Sequence, residues 1–276
     1  MTRMPVTTDA RKRIVVCADD FGLTRAGCES IVELACANAV SSVSCIVDSP
    51  GATRHAGALC NASPRISLGL HLNLTIPSQG AARASLRSWL ARAYVLRSID
   101  RQALRGEIRR QLLRFEDVFA RAPAYVDGHQ NVHQLPGVSR TLIDELADRY
   151  GTHIAVRSTV TQSQRGFKVR AIELLGAKRL HSLLQARGIA SNSDFAGIYD
   201  FSTRVPYERR MGGWLRSIED GGLIVCHPER AASPEMLSTA RCTEHSFLSS
   251  VQWPRMLKQC HIRLVPFGQP GPGYDA

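Results

Sequence analysis

Short apolar runs that end on aspartate or histidine recur along this chain with helical stretches between them, and this alternation constrains the fold more than any other feature. The runs fall at residues 14–18, 42–47, 66–74, 124–129 and 223–227, each about the length of a buried strand. After the first, Cys28, Ile31, Val32 and Ala35 recur at helical spacing, and Thr24 stands where a hydroxyl can cap the first free amides. The clearest helix is expected over 99–120, with Leu104, Ile108, Leu112, Phe115 and Phe119 on one stripe. Arg101, Arg105, Arg109 and Arg110 fall largely off that stripe and read as a solvated face. Strand–helix repetition with right-handed crossovers gives a parallel sheet or barrel, and 276 residues suit one such α/β domain. The expected division is an extension over 1–13, one barrel over 14–267 and a Gly/Pro-rich mobile tail over 268–276.

Composition narrows the function classes. Hydrophobic residues make up 44% and charged residues 21%, so the chain can bury a full core. The formal charge is +11, yet the arginines are scattered with no aromatic-interleaved run, and no nucleic-acid partner is expected. The eight cysteines form no CxxC pair, and Cys17, Cys45 and Cys226 sit in apolar runs as small core hydrophobes. The start of the sequence carries no apolar segment before Ile14, and no later stretch reaches the ~20 apolar residues of a membrane span, so a cytoplasmic protein is expected.

The chemistry-bearing residues cluster where strands end, which in a barrel is the active face. In Asp19-Asp20-Phe21-Gly22 the two carboxylates reach one site only if the chain turns near Asp20, a turn that Gly22 eases. One could then bind a metal and the other accept a proton, although the pair taken alone also suits a turn or helix cap. In the run Gly69-Leu70-His71-Leu72-Asn73-Leu74-Thr75, alternation puts His71, Asn73 and Thr75 on one face. Asp127 and His129 share a face in the same way, with Gly128 allowing close backbone approach and His133 following. Pro228 holds His227 out of helical geometry at the last strand end. A single such histidine is ordinarily structural; two of them beside an Asp-Asp turn point to a site.

These four motifs, in this order, resemble those of the YdjC-like carbohydrate deacetylases, which include chitooligosaccharide and hopanoid-associated deacetylases. The resemblance runs from about residue 14 to 267. It implies a distorted TIM-like (β/α) barrel that holds one divalent ion through an aspartate and two histidines. Carried over by position, Asp20, His71 and His129 match the metal ligands, Asp19 the catalytic base and His227 the acid. The chain departs from the family at Asn131, where many relatives carry histidine, and at Glu229, where a small residue is frequent.

The implied activity is removal of acetyl from an N-acetylated amino sugar, either a chitooligosaccharide or an N-acetylglucosaminyl glycolipid. Mixed nitrogen and oxygen ligation suits zinc, with magnesium, manganese and cobalt open. Asp127 is expected to orient a ligand imidazole or to contact sugar hydroxyls, and Asn73 and His133 are candidates for substrate binding. The polar-aromatic stretch 191–199 is a candidate sugar-stacking loop. The arginine-rich stretch 85–110, with Trp89 and Tyr94, suggests peripheral contact with a lipid-linked substrate, and relatives suggest a homodimer. The alternatives are a metal phosphoesterase on the same ligands and a non-catalytic sugar-binding barrel.

Overall fold

The computed structural model describes residues 11–77, 83–162, 167–230 and 238–268. Most of the expected extension and all of the tail beyond Gly268 lie outside them. In chain order the elements are β1 (Lys12–Phe21), α1 (Arg25–Cys36), β2 (Ser42–Cys45), α2 (Pro50–Ala62), β3 (Ser67–Leu72) and α3 (Leu86–Leu90), which runs into a π-helical turn, Ala91–Leu96. There follow α4 (Arg101–Phe119), β4 (Tyr125–Gly128), a short 3-10 stretch His129–Gln134, α5 (Val138–Tyr150), β5 (Ala155–Val156), α6 (Phe167–Leu174) and α7 (Ala177–Ala186). The last elements are β6 (Phe195–Ala196), α8 (Tyr207–Ser217), β7 (Leu223–Cys226), α9 (Ser238–Leu248), α10 (Gln252–Gln259) and β8 (Ile262–Leu264).

All the strand pairs described are parallel, in the order β5-β4-β3-β2-β1-β7-β6, with β8 added to the start of β1. The sheet curls into a barrel that is distorted as expected, because no strand ladder joins β5 to β6. The amide of Val156 donates to the Ala190 carbonyl there, and the Asn192 side chain bridges the gap, accepting from the Ser158 amide and donating to the Ser158 and Asp194 carbonyls. The missed strands β5, β6 and β8 have two or three residues each, too few to show a period.

Strand alternation decides what faces inward. Ile14, Val16 and Ala18 of β1 pack outward into the helix-covered core, while Val15 and Cys17 face the barrel interior with Tyr125, Phe195, Leu223 and Val225. Phe267 closes the floor of that interior. Its ring lies 4.9 Å from Tyr125, and its amide donates to the Ser42 and Ser67 hydroxyls. Gly69 makes room for the Tyr125 ring, whose Cε2 atom would stand 2.3 Å from any added Cβ.

The helix expected over 99–120 is α4, capped by Asp100, and its apolar stripe is buried. Its basic face is not simply solvated: Arg105 and Arg109 both pair with Glu145 of α5, and Arg110 pairs with Asp48 and Glu107. Thr24 caps α1 through the Gly27 amide. No helix among the described residues is long and apolar enough to cross a membrane.

Candidate active site

The inward phase of β1 carries Cys17 and then Asp19 into the upper barrel. Asp20 would follow the outward phase, but its φ of 67° places it in the left-handed region and the register with β2 shifts between Ala18 and Phe21. Asparagine and aspartate bear that conformation better than other non-glycine residues. The following Gly22, at φ 102°, completes the turn, so both carboxylates reach the barrel mouth.

There the sequence-predicted residues meet. Asp20 Oδ1 lies 2.9 Å from His129 Nδ1 and 3.5 Å from His71 Nε2. One donor atom from each of the three falls within 4.8 Å of the others. His71 is oriented from behind, its Nδ1 donating to Asp127 Oδ1 at 2.5 Å, which turns Nε2 toward Asp20. The donor set of one carboxylate and two imidazoles fits a divalent ion with coordination positions left for water and substrate.

Arg157, which the sequence reading passed over, organises this floor. It follows β5 in the inward phase, and its guanidinium grips Asp19 at both oxygens, Nη1–Oδ2 and Nη2–Oδ1 each at 2.7 Å, while Nη2 lies 2.5 Å from Asp127 Oδ2. The guanidinium also fills the space between Cys17, Asp19 and Asp127, so that second acidic group is already neutralised by a fixed cation. Cys17 lies in the interior core as expected, but with polar neighbours: its Sγ lies 3.1 Å from both the Tyr125 hydroxyl and Arg157 Nη2. An arginine continuing the apolar run Ile154-Ala155-Val156 was the available signal.

Helix α9 closes the other side. Arg241 Nη2 reaches Asp20 Oδ2 at 2.7 Å, and Glu244 accepts from the Tyr199 hydroxyl at 2.6 Å and from the His227 amide at 2.5 Å. No sequence period could announce these two, because their role depends on which helix packs over the barrel mouth. His227 lines the cavity against Phe201, with ring centroids 5.4 Å apart, and its buried Nδ1 has no hydrogen-bond partner among the described residues.

The electrostatics follow from burial and pairing. Burial opposes ionisation of Asp20, but hydrogen bonds from His129 and His71 hold it well below the usual carboxylate range. Burial likewise opposes charge on His71, yet Asp127 and Asp19 outweigh it and raise the imidazole to about 10. Burial raises Glu244 to about 7. The same cause lowers His227 to about 4, with Asp20 and Asp19 only partly opposing it.

Three residues expected to contact substrate stand outside the cavity wall, Asp127 among them in the imidazole-orienting role that was its other expectation. Asp127 lies beneath His71 and outside the cavity wall. Asn73 does not continue the polar face of β3, because the strand ends at Leu72. Its side chain accepts from the Thr75 and Ile76 amides and donates to the Ile76 carbonyl, tying its own loop. His133 is fully buried, and its Nε2 meets the Arg157 carbonyl at 3.0 Å. In the 191–199 stretch Asn192 and Asp194 are buried structural groups, whereas Phe195, which packs in the barrel interior, Gly197, Ile198 and Tyr199 all line the cavity. Of the two departures from the family pattern, Asn131 lines the cavity, whereas Glu229 accepts from the Thr24 hydroxyl at 2.8 Å.

A curled parallel α/β sheet bearing carboxylates and imidazoles at its strand ends defines a barrel of the hydrolase type. The chain belongs to the YdjC-like protein family, whose model matches residues 13–259. It is similar to a human carbohydrate deacetylase, 37% identical over 89% of this chain and 83% of that one. A mouse carbohydrate deacetylase is 28% identical over 93% and 89%, and a Serratia marcescens chitooligosaccharide deacetylase 32% identical over 51% and 57%. Among solved structures, a candidate cellobiose-phosphate cleavage protein from Enterococcus faecalis superposes with a TM-score of 0.68 at 19% identity, covering 93% of this chain and 98% of that one. A peptidoglycan N-acetylglucosamine deacetylase gives a TM-score of 0.51 at 10% identity, over 94% and 88%. These structural likenesses speak to the fold.

Proposed function

We propose that this protein is a hydrolase that removes the acetyl group from an N-acetylated amino sugar. The observation that carries the reading is the convergence of Asp20, His71 and His129 beside the gripped Asp19, in one cavity of about 570 Å³ with His227 in its wall. The names of the human, mouse and Serratia relatives support it.

Asp20, His71 and His129 would hold a divalent ion, zinc in the first place and magnesium, manganese or cobalt as alternatives, which when bound would supply an electrophile for the acetamide carbonyl and acidity for a water. Asp19 accepts the proton of the attacking water. Arg157 binds one lone pair on each Asp19 oxygen, fixes the carboxylate's direction and leaves further acceptor sites free. The departing amine needs a proton, which His227 delivers. Because burial favours the neutral imidazole of His227, the proton it gives is the one Asp19 takes from the attacking water, passed on as the amine leaves. Asp127 acts through His71 as a positioning residue, and Asn73 and His133 shape the surrounding loops. The sugar ring rests against Tyr199 and Phe201, which line the same cavity.

Two-metal phosphoester hydrolysis fits less well, since Arg157 occupies the second acidic group. Chitooligosaccharide and N-acetylglucosaminyl glycolipid are the two substrate classes within the proposal, to which cytoplasmic residence, expected from the sequence, and a homodimer, expected from the family resemblance, also belong. The deciding experiment follows acetate release from di-N-acetylchitobiose and from N-acetylglucosaminyl glycolipids, using metal-stripped protein, zinc-reconstituted protein and the His129→Ala variant. Release that zinc restores and the variant lacks is the expected result. Stoichiometric zinc binding with no release from any substrate would favour a non-catalytic barrel.

A further inference from the structure

The π-helical turn Ala91–Leu96 and the start of α7 enclose a second pocket, of about 380 Å³, whose wall carries Arg92, Arg97, Arg101 and Arg179 and no carboxylate. All four arginines are exposed, and none forms an ion pair with a described residue. Other arginines nearby differ: Arg83, Arg105, Arg109 and Arg110 are each engaged with Asp or Glu. Four unpaired guanidinium groups around one concavity repel one another, and an anion placed among them relieves that repulsion.

Beside this pocket stands the largest concentration of exposed apolar side chains in the described residues. Val95 is 76% exposed, Leu96 64%, Leu174 82% and Tyr94 41%. The Tyr94 hydroxyl stands near Gly176, at the link between α6 and α7, which sets the adjacent Tyr94, Val95 and Leu96 of the π-helical turn on the same side of the molecule as that link. A soluble protein leaves such side chains in water at a cost of roughly 25 cal/mol per Å² of apolar area, so a contiguous group calls for a covering partner. The same elements form the rim of the catalytic cavity, whose wall includes Leu86 of α3 and Ile172 and Leu175 at the end of α6.

We propose that this surface docks the protein on an anionic phospholipid bilayer, with Arg92, Arg97, Arg101 and Arg179 on lipid phosphates and Val95, Leu96 and Leu174 entering the boundary between headgroups and acyl chains. Charge complementarity, in a chain of formal charge +11, selects an anionic surface. The aliphatic rim selects a bilayer over RNA, which would call for stacking aromatics. Docked in this way, the mouth of the catalytic cavity opens at the membrane surface. The inference stands apart from the chemistry inside that cavity.

The test is co-sedimentation of the full chain with phosphatidylcholine vesicles containing about one-third phosphatidylglycerol, against vesicles of phosphatidylcholine alone. Binding to the anionic vesicles only, falling steeply with added salt, is expected. Each basic residue near such a surface is worth about fivefold in affinity, so the Arg97→Gln/Arg179→Gln pair should weaken binding about thirtyfold. The Leu96→Ser/Leu174→Ser pair should remove the part of binding that survives high salt, with melting temperature unchanged in both. Equal binding to neutral vesicles, or retention by both variants, overturns the proposal. So does displacement from vesicles by inorganic phosphate or a short RNA at constant ionic strength, which reassigns the pocket to a soluble anion. The salt titration of the unmodified chain keeps the test decisive if a variant folds poorly.

Discussion

Arg157 holds Asp19 through two parallel contacts of 2.7 Å, 138 residues apart in sequence and both almost wholly buried. The pair is the hub of the barrel mouth, since the same guanidinium also neutralises Asp127.

Replacing Arg157 with methionine should therefore cost far more than a surface arginine. It leaves two buried carboxylates without their cation, and breaking a buried pair in this way destabilises by about 3–5 kcal/mol. Urea unfolding of Arg157→Met against Arg255→Met, an exposed control on α10, measures the difference. A loss below about 1 kcal/mol would mean that water or a proton takes over the role of the guanidinium.

Gly69→Ala should be severe although the change is one methyl group. Tyr125 Cε2 would stand 2.3 Å from the new carbon, and the ring cannot swing aside while its hydroxyl is held by Ser44 at 3.0 Å and Cys17 at 3.1 Å. Overpacking of this kind costs about 1–3 kcal/mol. Gly57→Ala, with open space around it in α2, should be neutral or slightly stabilising in the same thermal melt.

Stability should decline on mild acidification through His133. Burial lowers this imidazole to about 4, below the 6.5 of an unfolded chain, so the unfolded state binds the proton first. Stability from this residue is then constant above pH about 6.5 and falls between there and pH about 4, by roughly 3 kcal/mol at 1.36 kcal/mol per unit. His133→Gln should flatten that part of the pH–stability curve. An unchanged slope would assign the acid sensitivity to other groups.

Divalent metal should stabilise the fold through Asp20, His71 and His129. At one hundred times the dissociation constant the gain is about 2.7 kcal/mol, seen as a rise in melting temperature that chelation reverses. Asp20→Asn and His71→Ala should each abolish the rise. The Asp127→Asn variant should keep a reduced rise, because it frees the His71 ring without removing a ligand atom.

The predicted site residues were legible where chemistry and strand period coincide. Asp20, His71 and His129 each stand at a strand end, and the turn needed to bring Asp20 inward is present as its left-handed backbone. Asn73 was misplaced because alternation says nothing about where a strand stops; β3 ends one residue earlier and the amide caps the loop. Arg157 left a trace, a charge continuing an apolar run, but β5 has only two residues and shows no period of its own. Arg241 and Glu244 left none. They become part of the site only when α9 packs against α1 and α8 beside the end of β7, a tertiary event that no local pattern encodes.

The floor of the barrel has a bearing on the order in which the molecule is made. Every residue of the Asp20–His71–His129 group is synthesised well before Phe267, which seats on Ser42, Ser67 and Tyr125. A nascent chain thus carries all three of these side chains over an interior that stays unsealed until Phe267 has been added.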